Sequence, residues 1–569
     1  MKCWICALAI GLCLVPSAWA ADDSLPHLQR NGNITQFYVD GKPYVIFGGQ
    51  VSNGSGFPDA MERAWPRMAA FHANTIEFPV YWEMIEPQEG QFDFSALDQI
   101  IQGAREHQFH LIPLWFGTWK NGAMDYVPDW VKSDPLKYPR VLDEANHPMN
   151  VLSPFGKTTL EADRTAFAAL MKHLKDFDGT HQTVLMVQVE NESGLLGSVR
   201  DYGSDSTKAF NGPVPDDLVK SLHKSPGTWK EVFGPRLAAE SFTAWALSSY
   251  INSVAAAGKA QYPLLMYCNC WMGGDGTNDR FDEFDRPGDS YPSGGPVSHM
   301  LDLWKANAPN IDIIGPDIYH RSSVIYRTIL GRYRRPDNPL MIVETGGGMQ
   351  FARFCFYALA DYNAIGFTSF GVDGPAALLL QPASPLAANA PAAQGGMTAT
   401  GGESGRGGDA GVGPAFEPVA SDFRLLSPAM DEIAQLQAAG KLKAAVEEDS
   451  IPGKMLYFDG YDLLVRFRPP MRVASAVPLQ PNASVEPSGR VLVGQIGTNE
   501  FLIAGFDCAL DFKPEQGSDY TLAQILRAER GTYENGQWKR SQILNGDLTT
   551  GGLRFPPEGA MILVKLVRI

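Results

Sequence analysis

Basic residues are in short supply. The chain has 47 lysines and arginines against 63 aspartates and glutamates, a net charge of −16. So acidic a protein lacks the basic patches that nucleic acid or an anionic membrane surface needs, and neither is expected as a partner. Histidine (10) and cysteine (7) are also scarce, and no HExxH or paired Cys/His spacing occurs. No metal site and no cofactor is therefore expected. Beyond the first twenty residues no apolar run is long enough to span a bilayer. Those twenty, "MKCWICALAIGLCLVPSAWA", have a basic start at Lys2, an apolar stretch over 5–15 and the small-x-small site Ala18-Trp19-Ala20. They read as a secretory signal that places the protein in the periplasm or outside the cell. Cys3, Cys6 and Cys13 would leave with it, and Cys268, Cys270, Cys355 and Cys508 would remain. These are expected as buried thiols, with an oxidising compartment leaving room for one disulfide.

Apolar residues make up 44% of the 569-residue chain and charged residues 19%, as in a soluble globular protein with a large core. The acidic balance suits a neutral substrate such as a carbohydrate. Eight short apolar runs alternate with amphipathic stretches: "YVIFGGQ" (44–50), "NTIEFPV" (74–80), "HLIPLWFG" (110–117), "VLMVQVEN" (184–191), "LLMYCNCW" (264–271), "IDIIGPDIY" (311–319), "LMIVET" (340–345) and "AIGFTSFG" (364–371). The helical segments between them include 94–108, 161–177 and 241–260, and the last spans 428–442. Continuous apolar strands alternating with helices predict an α/β fold, a (β/α)8 TIM barrel over 21–447. An open doubly wound sheet is the competing reading, but no glycine-rich dinucleotide turn follows the first strand. "VDGKPY" near residue 39 predicts a hairpin closing the bottom of the barrel.

Two long insertions follow strands 4 (about 200–235) and 5 (273–295), on the face where barrels build their sites. "YPSGGP" (291–296) and Trp271 are candidates to line a substrate cleft there. Residues 374–417 are rich in Ala, Gly and Pro, contain no GK[ST], and read as a low-complexity loop. From 448 to 569 the pattern changes to period two split by Gly, Asp and Asn turns. That predicts a C-terminal antiparallel, sandwich-like β domain packed on the barrel.

The motif "VQVENESG" (187–194) places Glu190, Asn191 and Glu192 at the end of strand 4, and "IVETGGG" places Glu344 at the end of strand 7. Singly, each glutamate is equally a helix cap or an arginine partner. Jointly, the two strand ends converge on one mouth, and two facing carboxyls are what glycoside cleavage requires. One protonates the leaving oxygen while the other attacks or activates water. Glu190 adds to the local negative field, and the Asn191 amide suits a sugar hydroxyl beside the reacting carbon.

"VQVENESG" resembles the strand-4 motif of glycoside hydrolase family 35, the β-galactosidases of a retaining barrel clan, with Ser193 where Tyr is usual. "NTIEFPVYWEMIEPQEGQFDF" is similar to that family's strand-2 segment at Asn74, Ile76, Val80, Trp82, Glu86, Pro87, Gly90, Phe92 and Phe94, with Pro79 where a Tyr commonly touches galactose. The resemblance implies Glu192 as acid/base, Glu344 as nucleophile, and Glu190 and Asn191 as substrate contacts. "GPDIYH" (315–320) resembles a strand-6 end whose Tyr319 orients the nucleophile, and it carries Asp317 as a further candidate contact. "LWFGTWKNG" (114–122), "YVPDWVK" (126–132), "GTWKEVFG" (227–234), "YPSGGPV" (291–297) and "ERGTYENGQWKRSQILNGD" (529–547) resemble a bacterial subfamily with a C-terminal DUF5597-type domain. Some members of that group act on galactosyl branches of plant polysaccharides such as xyloglucan. In them the end of strand 3, here Trp115, Trp119, Lys120 and Asn121, shapes the galactose pocket. The expectation is a retaining exo-β-galactosidase. The alternatives are another retaining β-glycosidase of the clan (β-glucosidase, β-xylosidase or agarase-like) or a non-catalytic glycan-binding protein. The sequence sets no oligomeric state.

Overall fold

The structure, a computed structural model, describes residues 25–274, 285–374, 413–448, 452–467 and 487–569. The expected leader and most of the low-complexity segment lie outside the described residues. Eight parallel strands close into a barrel: β1 (Ile46–Gln50), β2 (Thr75–Tyr81), β3 (His110–Lys120), β4 (Met186–Asn191), β5 (Leu265–Trp271), β6 (Ile313–Ile318), β7 (Met341–Thr345) and β8 (Gly366–Phe370). Each of the eight apolar runs supplies one strand. Both faces of these strands are covered, so every residue of β1, β2, β4 and β6 is buried, which is why the runs do not alternate.

The barrel floor is a three-stranded antiparallel sheet (His27–Asn31, Ile34–Val39, Lys42–Tyr44) whose last two strands form the expected hairpin. Its Phe37 and Val39 join Ile46, Ile112, Leu185, Met341 and Ile365 in one apolar cluster. The floor is thereby sealed, and the opposite, carboxyl-end mouth is left for chemistry.

The amphipathic stretches form helices at Ser95–Glu106 and Lys157–Asp178. The helix expected at 241–260 begins earlier, at Trp229, and runs to Gln261 with a break at Gly234–Pro235. Its start is set by a capping box in which the Glu231 carboxylate accepts from the Thr228 amide at 2.8 Å. Much of the expected loop after β4 is therefore helical.

The last expected helix (428–442) ends sooner. It spans Met430–Ala438 and stops at Gly440, whose φ of +64° only glycine adopts easily. Leu442–Val446 then becomes an edge strand of a six-stranded antiparallel sheet, which faces a four-stranded one across a second core. Alternation divides the work in the six-stranded sheet. Val491, Val493, Phe501 and Ile503 face the four-stranded sheet, while Leu492, Leu502, Ala504 and Phe506 join the barrel's own core.

A buried ion pair locks this interface. Arg490 of strand Arg490–Gly497 donates to Asp422 of helix Glu417–Leu426 through Nε at 2.6 Å and Nη2 at 2.5 Å, and both residues are buried. Among the described residues, Cys268, Cys270, Cys355 and Cys508 are buried and free, and no helix is long and apolar enough to cross a membrane.

Candidate active site

The end of β4 is bent rather than extended. Glu190 (φ +63°) and Glu192 (φ +44°) both occupy the left-handed region, on either side of Asn191. Non-glycine residues enter that region at a cost. The bend sends the two glutamates to different places.

Glu190, expected to touch substrate, is fully buried. Its oxygens accept from the backbone amides of Thr118 (3.1 Å) and Trp119 (2.7 Å). It also shares a hydrogen bond with Asp163 of the outer helix Lys157–Asp178. Burial first, and the Asp163 charge next, raise its carboxyl well above the usual range. Asp163 in turn accepts from Trp115 Nε1 (3.0 Å) and Thr118 Oγ1 (2.7 Å). The pair sits beneath the end of β3, where a Cβ on Gly117 would fall 2.3 Å from Trp115 and 2.9 Å from Glu190. Trp119 lies in the same layer. It is fully buried, packs edge-on against Tyr250 at 4.5 Å and donates to the Leu152 carbonyl. Neither Glu190 nor Trp119 is thus brought to the mouth.

The other expected residues converge. Asn191 donates to Asn121 Oδ1 (2.8 Å) and accepts from Gln188 (3.0 Å) and Asn269 (3.2 Å). Asn121 also accepts from the Lys120 ammonium at 2.7 Å. The Glu192 amide donates to Asn269 Oδ1 at 2.7 Å, and the Glu192 carboxyl contacts Asp317. On β7, Glu344 is half-buried. Tyr319 donates to its Oε1 at 2.5 Å and Gln50 to its Oε2 at 3.3 Å. Burial and the Glu192 charge push its carboxyl up to about 7, against the pull of Tyr319, Lys120 and Gln50. Burial lowers Lys120, and the charges of Glu192, Glu344 and Asp317 oppose that. Trp271, half-buried, ends β5 in register with Asp317.

Residues 275–284 of the loop after β5 lie outside the described residues, and its described end differs from the expected cleft wall. Residues 290–297 are buried, and Ser293 exchanges two backbone hydrogen bonds with Leu195. Tyr291 donates to Glu240 at 2.9 Å. "YPSGGP" therefore clamps the segment after β4 instead of offering an open wall.

Sequence reasoning missed Gln50, Asn269 and Glu77. Gln50 and Asn269 are the polar intruders in "YVIFGGQ" and "CNC", and that intrusion is the signal that would have found them. Glu77 is fully buried inside the barrel and accepts from Thr368 at 3.0 Å; burial raises its carboxyl well above the usual range. Among the described residues no group of three or more His, Cys, Asp or Glu is placed to hold a metal ion.

Such a mouth offers the Glu344 carboxyl gripped by two donors, the carboxyls of Glu192 and Asp317 nearby, and the Lys120 ammonium facing all three. Groups of these kinds are able to pair nucleophilic attack with proton transfer.

A family described as "Beta-galactosidase" (Glyco_hydro_42) matches residues 57–245, and a "Domain of unknown function (DUF5597)" matches 419–556. The chain is 26% identical to a β-galactosidase of Xanthomonas manihotis over 278 residues, 42% of this chain and 43% of that one. It is 29% identical to an exo-β-D-glucosaminidase of Thermococcus kodakarensis over 214 residues, 36% and 23% of the two chains. Among solved structures, a β-galactosidase from Bacillus circulans sp. alkalophilus aligns over 68% of this chain and 57% of its own, with a TM-score of 0.45 at 16% identity. The chain spans less than half the length of these curated relatives. Over the first half of its barrel it is similar to β-galactosidases, and its C-terminal domain is similar to the DUF5597 family.

Proposed function

We propose that the chain is a glycoside hydrolase, and within that class a retaining exo-β-galactosidase related to glycoside hydrolase family 35. The observation that carries this reading is the grip of Tyr319 and Gln50 on Glu344, opposite Glu192. Glu344, held as a carboxylate by two donors, attacks the anomeric carbon. Glu192 protonates the departing oxygen, and a galactosyl ester of Glu344 forms. Glu192 then takes a proton from water as that water hydrolyses the ester, so two inversions give net retention. Asn191 and Asn121 present amides to the sugar, Lys120 balances the carboxylates, and Trp271 offers a ring face. The substrate is a terminal β-galactosyl residue, with xyloglucan side chains as the polymer to try first, and the protein acts after export.

The similarity to exo-β-D-glucosaminidases favours a second reading, in which the same machinery accepts a 2-amino sugar. A panel of nitrophenyl β-glycosides separates the two. Galactoside turnover at least tenfold above glucoside, xyloside and glucosaminide supports the first reading. Preference for glucosaminide installs the second, and binding without turnover of any glycoside refutes both.

A further inference from the structure

The double displacement uses two carboxyls, yet three meet at the mouth. Asp317 is 2% exposed and stands in register with both Trp271 of β5 and Glu344 of β7. Its Oδ2 accepts a 2.9 Å bond from Asn269 Nδ2. Its Oδ1 takes no N–H or O–H donor, and its carboxyl lies in hydrogen-bond contact with that of Glu192. An ionised carboxylate only accepts, so two touching carboxyls bond only when one of them carries a proton. Asn269 fixes the pair from behind, because its Oδ1 accepts the Glu192 amide while its Nδ2 donates to Asp317.

We propose that Asp317 is a positioning residue that shares one proton with Glu192 and keeps the general acid loaded until the glycosidic bond breaks. This rests on the roles given above to Glu192 and Glu344. It departs from the expectation that Asp317 touches sugar.

The charges balance. Before reaction the three carboxyls hold one proton and two negative charges. As Glu344 attacks, the bond from C1 to the departing oxygen breaks, the shared proton leaves on that oxygen through Glu192, and Glu344 becomes a neutral ester. Glu192 and Asp317 are then both ionised, and the total is again two negative charges. Attack of water on the ester returns a proton to the pair and the charge to Glu344. The Lys120 ammonium thus faces constant charge through both steps, and the second ionisation of the pair becomes affordable only once Glu344 has lost its charge. Burial and the charges of Glu344 and Glu192 hold the Asp317 carboxyl far above its usual range, in line with proton retention. The groups facing the pair are Lys120 from β3, Tyr267 and Cys270 from β5, Tyr319 after β6, Tyr333 and Glu344.

The test is Asp317→Asn, with Asp317→Ala as the second variant. The carboxyls of the unliganded full chain are titrated by NMR with ¹³C-labelled Asp and Glu, and pH profiles are taken on an alkyl and a dinitrophenyl galactoside. In both variants Glu192 should titrate at least about one pH unit lower, the size expected when a touching like charge is removed. The basic limb of kcat/KM should move down with it. At pH 8 the alkyl galactoside should lose about tenfold more kcat than the dinitrophenyl one, with KM within about twofold. A raised KM on both substrates with unmoved limbs would make Asp317 a sugar contact and overturn the proposal. So would an unchanged Glu192 titration in whichever variant folds. The NMR titration decides proton sharing even if the wild type cleaves no galactoside, so failure of the proposed function is read separately.

Discussion

The Tyr319 hydroxyl donates to Oε1 of Glu344 across 2.5 Å, joining the residue that follows β6 to the end of β7. A donor on an ionised carboxylate stabilises the ion. Tyr319→Phe should therefore raise the Glu344 carboxyl above its value of about 7. Charge-assisted bonds are worth about 1.5–3 kcal/mol, or about one to two pH units. The acid limb of kcat/KM should move up by that amount, with a larger activity loss at pH 6 than at pH 9. An unmoved limb would show that Tyr319 does not act on Glu344.

Glu192→Gln removes the proton donor. Its kcat should fall about 10²–10⁴-fold on alkyl galactosides and far less on dinitrophenyl galactoside, which needs little protonation. Equal losses on both substrates would take the acid role from Glu192.

The Glu190–Asp163 pair predicts a pH-dependent stability. The raised Glu190 carboxyl means that the folded chain keeps a proton which the unfolded chain releases above about pH 4.3. Stability then falls as pH rises from there toward the folded value, by up to about 1.4 kcal/mol per pH unit. Asp163→Asn removes the need for the shared proton and should flatten that slope. Urea unfolding at several pH values measures it. Parallel slopes in the two proteins would exclude the shared proton.

The Asp422–Arg490 pair carries the domain interface. Asp422→Ala leaves a guanidinium buried without its partner and should destabilise the chain by about 3–5 kcal/mol in denaturant melts. The double replacement Asp422→Leu with Arg490→Met should recover most of that loss. A loss below about 1 kcal/mol in the single variant would mean that the two domains are held by apolar contact alone.

The barrel was legible because strands covered on both faces leave continuous apolar runs, and each of the eight runs supplied one strand. The positions of Glu192 and Glu344 at strand ends were legible for the same reason. The direction of a side chain at the bend of β4 was not. Alternation puts Glu190 and Glu192 on one face, whereas the left-handed backbone at both residues separates them. The resemblance implies a place for Trp119 in the sugar pocket at the end of β3, but β3 shifts register against β4 between Trp115 and Lys120, and the indole turns into the helical layer. Gln50 and Asn269 stand out locally as polar residues in apolar runs, but their partners Glu344 and Asp317 lie far along the chain, and no local pattern pairs them. The helix stop at Gly440 was visible in principle, yet "LKAAV" after it has no strand signature apart from its place at a sheet edge.

The most direct measurement is to trap the intermediate. Incubation with 2,4-dinitrophenyl 2-deoxy-2-fluoro-β-galactoside, followed by peptide mass spectrometry, should find one fluorogalactosyl ester, on Glu344. An ester on any other residue, or stoichiometric release of dinitrophenol with no covalent adduct, would contradict the account.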